Sequence, residues 1–120
     1  MQMQNKSQRY ANLVLKDVQK IATDKSAEKY RLLTKKAGSL VRNSGLLQTI
    51  AFFESKGEEH SILFEYLENE LRTLGILGNS GLKKHAVEKP LPEYMRLTRE
   101  TLHLLNWHKR FAETLIKKRG

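Results

Sequence analysis

The chain has 120 residues, of which 22 are Lys or Arg and 13 are Asp or Glu, so its formal net charge is +9 at pH 7. It contains no cysteine, which excludes a disulfide framework and a thiolate metal site and favours an intracellular setting. No segment has the apolar run of a signal peptide or a membrane span, so we expect a soluble, cytoplasmic protein with one domain over residues 1–120.

The positive charge is unevenly distributed along the chain. Residues 46–80 hold two basic and six acidic side chains, so the remaining residues carry a net +13. This distribution favours a polyanionic partner for the basic part, and nucleic acid is the commonest polyanion in a cytoplasm. Charge alone leaves open the alternative that the excess of Lys and Arg only keeps the protein soluble.

Apolar residues recur at helical spacing along the whole chain, and no segment alternates as a strand would. After a polar opening segment that we expect to be frayed, residues 8–23 predict a first amphipathic helix. A break at residues 23–26 precedes a second helix that runs to about residue 42. The triplet Asn43-Ser44-Gly45 then provides a stop signal, because Asn and Gly accommodate the left-handed residue that ends many helices.

Two helices are predicted in the acidic middle of the chain. The first, over residues 46–56, is so apolar that it should lie deep in the core, with both Phe52 and Phe53 buried. The second, over residues 58–74, has one apolar face. Three of its acidic residues could face a basic neighbour, although solvation is the favoured prediction for them: Glu65, Glu68 and Glu70.

Residues 75–90 are the one stretch with a poor helical pattern. Glycines interrupt it, and several lysines make it basic. The stretch is too long for an ordinary turn, and long connections are often functional or mobile. We therefore predict a flexible loop that could contain one helical turn near residues 82–87.

Residues 91–118 predict one long helix around which the bundle is organised. Apolar and small residues recur at i, i+3, i+4 and i+7 from Tyr94 to Leu115. A different face carries a row at seven-residue intervals: Arg96, His103, Arg110 and Lys117. The second helix has a comparable basic row: Arg31, Lys35 and Arg42. The sequence thus predicts an all-α bundle of about five to six helices with a long C-terminal helix.

Residues that carry catalysis or bind cofactors are not gathered anywhere in the sequence. His103 and His108 are five residues apart on one helix, so they cannot ligate the same metal ion. His108 is predicted to be a core histidine. The glycines match no phosphate-binding loop. Trp107 is the one serious candidate for stacking on a nucleobase, although core packing is its favoured role. We expect no catalytic residue, metal, cofactor or small-molecule ligand.

Several helical patterns follow one another in a definite order and spacing over about residues 8–115. They are Gln8-Arg9-x-Ala11 with Val18, Tyr30-x-x-Leu33 to Arg42-Asn43-Ser44-Gly45-Leu46, Ala51-Phe52, Tyr94-x-x-Leu97-Thr98-Arg99-Glu100, Leu104-Leu105, Trp107 and Lys109-Arg110-Phe111-Ala112. Their order and spacing resemble those of the Cmr small subunit family, the small all-helical component of type III-B CRISPR–Cas effector complexes. Departures from the family pattern occur at Tyr10, Thr101 and residues 75–90.

The resemblance implies a helical protein without catalytic residues, acting in antiviral defence. Copies of such subunits stack into a minor filament beside the backbone subunits and line the channel that holds the target RNA, while other subunits cleave it. The implied partners are guide RNA, target RNA, the backbone and large subunits, and further copies of the chain. No membrane partner is implied.

The leading candidates for RNA phosphate contacts are basic residues on the second and last helices: Lys35, Arg42, Arg96, Arg99, Lys109 and Arg110. Arg99 could instead hold a structural salt bridge. Further candidates are Arg31, Lys36, Lys117 and His103. Two other functions stay open on the sequence alone. One is a protein-assembly module whose basic surface binds acidic proteins, and the other is a small ribonuclease.

Overall fold

A computed structural model describes residues 3–117 of the chain, and these residues form α-helices without any strand. The all-α class, the predicted number of helices and the long C-terminal helix are confirmed. The six helices are α1 (Lys6–Ile21), α2 (Ala27–Ser44), α3 (Leu46–Ser55), α4 (Glu58–Thr73), α5 (Leu82–Glu88) and α6 (Leu91–Leu115).

α1 begins earlier than the predicted residue 8, because a capping box organises its first turn. The Asn5 side chain accepts a hydrogen bond from the Gln8 backbone N–H at 2.8 Å, and the Gln8 side chain accepts one from the Asn5 backbone N–H at 2.9 Å. These two bonds satisfy amide groups that a helix N-terminus otherwise leaves unpaired. The segment expected to be frayed therefore includes an ordered Lys6.

α6 is the central element of the bundle and packs against α1, α2, α4 and α5. Its 25 residues make it about 37 Å long at the usual helical rise. The predicted end at residue 118 lies outside the described residues, but Ile116 and Lys117 are already non-helical. The buried stripe includes Leu97, Leu104, Leu105 and Ala112, as the apolar spacing predicts.

α3 is buried on one side rather than all round. Phe53 is only 2% exposed, whereas Phe52 is partly buried and Leu47 is 40% exposed. Ala51 also faces solvent. The prediction that α3 is surrounded by the core was therefore wrong, since only α2, α4 and α5 pack closely against it.

Residues 75–90 are more structured than the predicted loop, and the helical turn predicted near residues 82–87 is part of α5. Ile76, Leu77 and Leu82 are buried in the core, and α5 occupies nearly half of the segment. The Glu68 carboxylate accepts a hydrogen bond of 2.8 Å from the Leu82 backbone N–H at the start of α5. The apolar side chains between the glycines anchor the segment in the core. The many glycines and lysines of the segment obscure this apolar pattern in the sequence.

A buried polar network joins α2, α4 and α6. His108 is fully buried, and its Nε2 lies 2.9 Å from both carboxyl oxygens of Glu70, which is 2% exposed. This approach fits an N–H group shared between two acceptors, which leaves Nδ1 to accept the hydrogen bond from the Tyr30 hydroxyl. The core role of His108 is confirmed, whereas the prediction that Glu70 is solvated was wrong.

The network extends to α1 through Asp17, whose carboxyl group interacts with that of Glu70. Burial raises the pKa of Glu70 to about 8. Burial and the neighbouring Glu70 raise the pKa of Asp17 to about 7. Burial also lowers the pKa of His108 to about 3, so the ring is neutral near pH 7 and its contact with Glu70 is a hydrogen bond rather than an ion pair.

The two phenylalanines of α3 provide a test of this packing. Phe53→Ala is expected to lower the free energy of unfolding by about 3 to 5 kcal/mol, because it empties a fully buried position. Phe52→Ala should cost less than half as much, since Phe52 retains contact with solvent. Urea denaturation followed by circular dichroism measures both, and equal losses would contradict the one-sided burial of α3.

The raised pKa values of Asp17 and Glu70 predict that the protein loses stability as the pH rises. Above about pH 6.5, the histidines of the unfolded chain have lost most of their protons and no longer oppose the effect of the carboxyls. In this range the carboxyls of the unfolded chain are ionised, while native Asp17 and Glu70 still bind protons. Raising the pH therefore favours unfolding. The free energy of unfolding is expected to fall by about 1 to 2 kcal/mol between pH 6.5 and 8. Asp17→Asn should make this decline shallower in urea denaturation across that range. Identical slopes in the two proteins would show that Asp17 does not hold a proton in the native state.

Candidate nucleic-acid interface

Two adjoining clefts lie along α6 and form one groove on the surface. The narrower cleft, of about 90 Å³, runs between α2 and α6. The wider one, of about 400 Å³, lies between α6, the end of α2 and the start of α1. The clefts share Arg42, Leu102 and Asn106, so they are continuous. We call the whole the α2–α6 groove, and its basic residues are Lys6, Lys35, Arg42, His103 and Lys109.

Helical periodicity explains why these side chains share one groove. On α2, Lys35, Gly38 and Arg42 follow one another at three- and four-residue steps, and so lie on one face. On α6, Leu102, Asn106 and Lys109 do the same. The packing of α2 against α6 then brings the two faces together. The sequence predicted a basic row on each helix, and the structure brings Lys35 and Arg42 of the α2 row beside His103 and Lys109 of α6.

Gly38 allows the guanidinium of Arg42 to lie close to the surface of α2. A Cβ atom added to Gly38 would approach Arg42 Nη1 to 3.3 Å. Arg42 Nη2 also donates a hydrogen bond of 3.3 Å to the Ser39 hydroxyl. These contacts hold the Arg42 side chain along the helix, where it faces both clefts.

Glu100 ties the start of α1 to α6 at one end of the groove. Its carboxylate forms a 2.9 Å salt bridge with Lys6 and accepts a 2.8 Å hydrogen bond from the Tyr10 hydroxyl. Burial disfavours the charge on Glu100, but the bonds from Lys6 and Tyr10 outweigh burial and lower the pKa of Glu100. Burial, with a smaller effect of Glu100, raises the pKa of Tyr10 to about 12.

Sequence reasoning missed Lys6 as a groove residue. The Asn5–Gln8 capping box was the signal that could have found it, since it indicates that the helix already includes residue 6. The partner of Lys6 is 94 positions away in the chain, at Glu100 on α6. No local pattern predicts such a pairing.

A model of the CRISPR-associated protein family Cas_Cmr5 matches residues 6–115. The chain belongs to this Cmr5 family. It is 37% identical over 117 residues to the CRISPR system Cmr subunit Cmr5 of Thermus thermophilus, a match that covers 97% of this chain and 100% of that protein. The resemblance to the Cmr small subunit family is thus confirmed.

A solved structure shows the same fold. The X-ray crystal structure of a CRISPR-associated Cmr5 family protein from Thermus thermophilus matches this chain with a TM-score of 0.84 and 35% sequence identity. The match covers 95% of this chain and 100% of that chain. The α6-centred bundle is therefore the Cmr5 fold.

Within this fold, four of the predicted phosphate contacts line the α2–α6 groove: Lys35, Arg42, His103 and Lys109. Lys35, Arg42 and Lys109 form no salt bridge with any carboxylate of residues 3–117. His103 Nδ1 lies 3.7 Å from Glu100 and is half exposed. The groove thus presents unneutralised charge from two helices.

Other predicted contacts extend the same rows beyond the groove. Arg99 is exposed and precedes Leu102 by three residues, while half-buried Arg31 precedes Lys35 by one turn. Arg31 Nε and Nη1 are buried and have no hydrogen-bond partner in the described part of the chain. Two further exposed residues share the row of His103 at seven-residue spacing: Arg96 and Arg110.

Two of the candidates lie elsewhere on the Cmr5 fold. Burial lowers the pKa of His60, and the nearby positive charge of Lys36 lowers it further. Lys36 therefore lies toward His60 rather than in the groove. Lys117 borders a separate cleft beside the connection between α1 and α2. Neither residue lines the α2–α6 groove, and both are exposed.

Between residues 3 and 117, no helix is both long and apolar enough to cross a bilayer. The same residues contain no cluster of three or more His, Asp or Glu side chains that could hold a metal ion.

Gly38→Ala tests how the Arg42 side chain is held in the groove. The added methyl should raise the free energy of unfolding by about 0.5 to 1 kcal/mol, because Ala is the better helix former. It should also shift the guanidinium, whose Nη1 would otherwise lie 3.3 Å away. Thermal unfolding measures the first effect and a crystal structure of the variant the second. A less stable variant would show that the Arg42 side chain cannot move aside.

Proposed function

We propose that this Cmr5-family chain is a non-catalytic small subunit of a type III-B Cmr effector complex that holds RNA by its phosphates along the α2–α6 groove. The observation that carries the proposal is the meeting of three basic side chains from two helices, none of them paired with a carboxylate of residues 3–117: Lys35, Arg42 and Lys109.

Phosphate contacts suit this role because they do not depend on the RNA sequence. In RNA-guided systems, base pairing with the guide selects the target, while the protein recognises the backbone. A groove lined by Lys and Arg side chains binds any strand of suitable shape. Arg99, Arg31, Arg96 and Arg110 extend the contact surface along the same two helices.

The distribution of charge also supports contacts with other subunits. Exposed acidic side chains lie on α3 and α4, outside the α2–α6 groove: Glu54, Glu58 and Glu65. A protein with basic and acidic surfaces can bind RNA on one and basic protein surfaces on the other. The proposed protein partners are the backbone subunit, the large subunit and further copies of this chain stacked in a minor filament. The proposed setting is antiviral defence in the cytoplasm.

The histidines offer no pair for acid–base cleavage of RNA. His60, His85 and His108 are buried, and His103 is the one that borders the groove. Its neighbour Glu100 is occupied by Lys6 and Tyr10. General acid–base cleavage needs two groups on either side of the reacting phosphate. The proposed subunit therefore binds RNA and leaves cutting to other components.

Charge reversal in the groove tests RNA binding. The double change Arg42→Glu with Lys109→Glu should weaken affinity for single-stranded RNA at least tenfold, because it replaces two attractive contacts with repulsive ones. If the wild-type protein neutralises about four phosphates, its log–log salt slope should be about −3, and the variant's should be about half as steep. Fluorescence anisotropy of labelled RNA at several salt concentrations gives both values.

The matched control is Lys36→Glu with Lys117→Glu, which changes the net charge equally outside the groove. It should retain most of the affinity. If both double variants lose affinity equally, binding follows net charge and the groove has no special role. If neither loses affinity in the assembled complex, while an acidic protein still competes for the basic surface, the chain is instead a protein-assembly module.

A further inference from the structure

We infer that the wider cleft of the α2–α6 groove is a subsite for a single unpaired RNA nucleotide, whose base packs against Trp107 while Arg42 binds its phosphate. The inference rests on the proposed RNA binding and adds a place where a base, rather than only the backbone, contacts the protein.

Trp107 is only partly buried, although sequence reasoning favoured a purely structural role for it. Its ring system stacks on Phe111, with centroids 5.4 Å apart and planes 24° apart. This contact fixes the orientation of the indole. The remaining surface of the indole forms part of the wall of the wider cleft. A rigid, partly open aromatic ring beside cationic side chains is the arrangement on which bases stack in single-strand-binding proteins.

The cleft has the size and the chemistry for a nucleotide. Its volume of about 400 Å³ falls within the range of small-molecule sites. Leu102 and Tyr10 provide apolar surface, and the exposed side-chain amide of Asn106 offers both donors and an acceptor for the edge of a base. Every residue that lines this cleft is neutral or basic.

The two adjoining clefts indicate how an RNA strand would lie along the groove. The narrower cleft, of about 90 Å³, is too small for a base but is bordered by Lys35, Arg42 and Lys109. Because Arg42 borders both clefts, a phosphate there would connect a backbone segment in the narrow cleft with a base in the wide one. Bases stacked within a duplex have no open face, so only an unpaired nucleotide can reach Trp107.

Intrinsic fluorescence tests the inference directly, because Trp107 is the only tryptophan in the chain. The full-length protein is titrated at low salt with a uridine 12-mer, an adenosine 12-mer and inorganic polyphosphate. Both RNAs should quench the emission at the concentrations at which anisotropy reports binding. Polyphosphate should compete with the RNA but leave the emission largely unchanged, because it has no base.

Variants separate stacking from folding. Trp107→Phe should bind RNA within about twofold of the wild type, and Trp107→Leu should bind about tenfold more weakly, as expected for the loss of one stacked base. Phe52→Leu is the matched control, since Phe52 is also a partly buried aromatic next to a lysine but lies outside the groove. It should leave the affinity unchanged. Circular dichroism shows whether each variant folds. If Trp107→Leu does not fold, quenching of the wild-type emission still tests the inference.

Each failure has a distinct result. RNA binding without quenching, or equal quenching by polyphosphate, would overturn the nucleotide subsite and leave the proposed RNA binding in place. Equal loss of affinity in folded Trp107→Leu and Phe52→Leu would also overturn the subsite. Absence of any RNA binding at low salt would overturn the proposed function and the subsite together.

Discussion

The hydrogen-bonded position of His108 is the constraint on which the rest of the structure depends. Its two ring nitrogens are bound to Tyr30 on α2 and to Glu70 on α4, at a fully buried point of α6. A buried ring with both nitrogens engaged cannot rotate without leaving polar atoms unpaired, which is costly in a low-dielectric interior. The network therefore fixes how α6 is rotated and how far it is shifted relative to its neighbours.

This constraint on the core also determines the surface. Trp107 and Lys109 flank His108 in the chain, so fixing the histidine aims the indole at the wider cleft and the lysine at the narrower one. Two turns earlier, Glu100 holds the start of α1 against α6 and brings Lys6 to the same groove. The buried His108 and Glu100 thus position basic side chains without themselves lining the groove.

The α2–α6 groove fits the requirements of a small subunit in an RNA-guided complex. Its charges come from long side chains on rigid helices. Such charges suit contact with the phosphate backbone of an RNA whose base sequence changes from guide to guide. No carboxylate side chain of residues 3–117 lines the groove, and the exposed Glu54, Glu58 and Glu65 lie on α3 and α4. In the proposed assembly, RNA and protein partners would bind separate surfaces of the chain.

Periodicity in the sequence determined the helices, the stripe of α6 that faces the core, and the two basic rows that include Lys35, Arg42 and His103, because these properties depend on neighbours within one or two helical turns. Only the tertiary structure decided which part of each row lines the groove, that Glu70 is buried with Asp17 and His108, that Lys6 meets Glu100, and that residues 75–90 are anchored in the core. Such contacts join residues far apart in the chain, and whether a charged or apolar side chain is buried depends on the helix that packs over it.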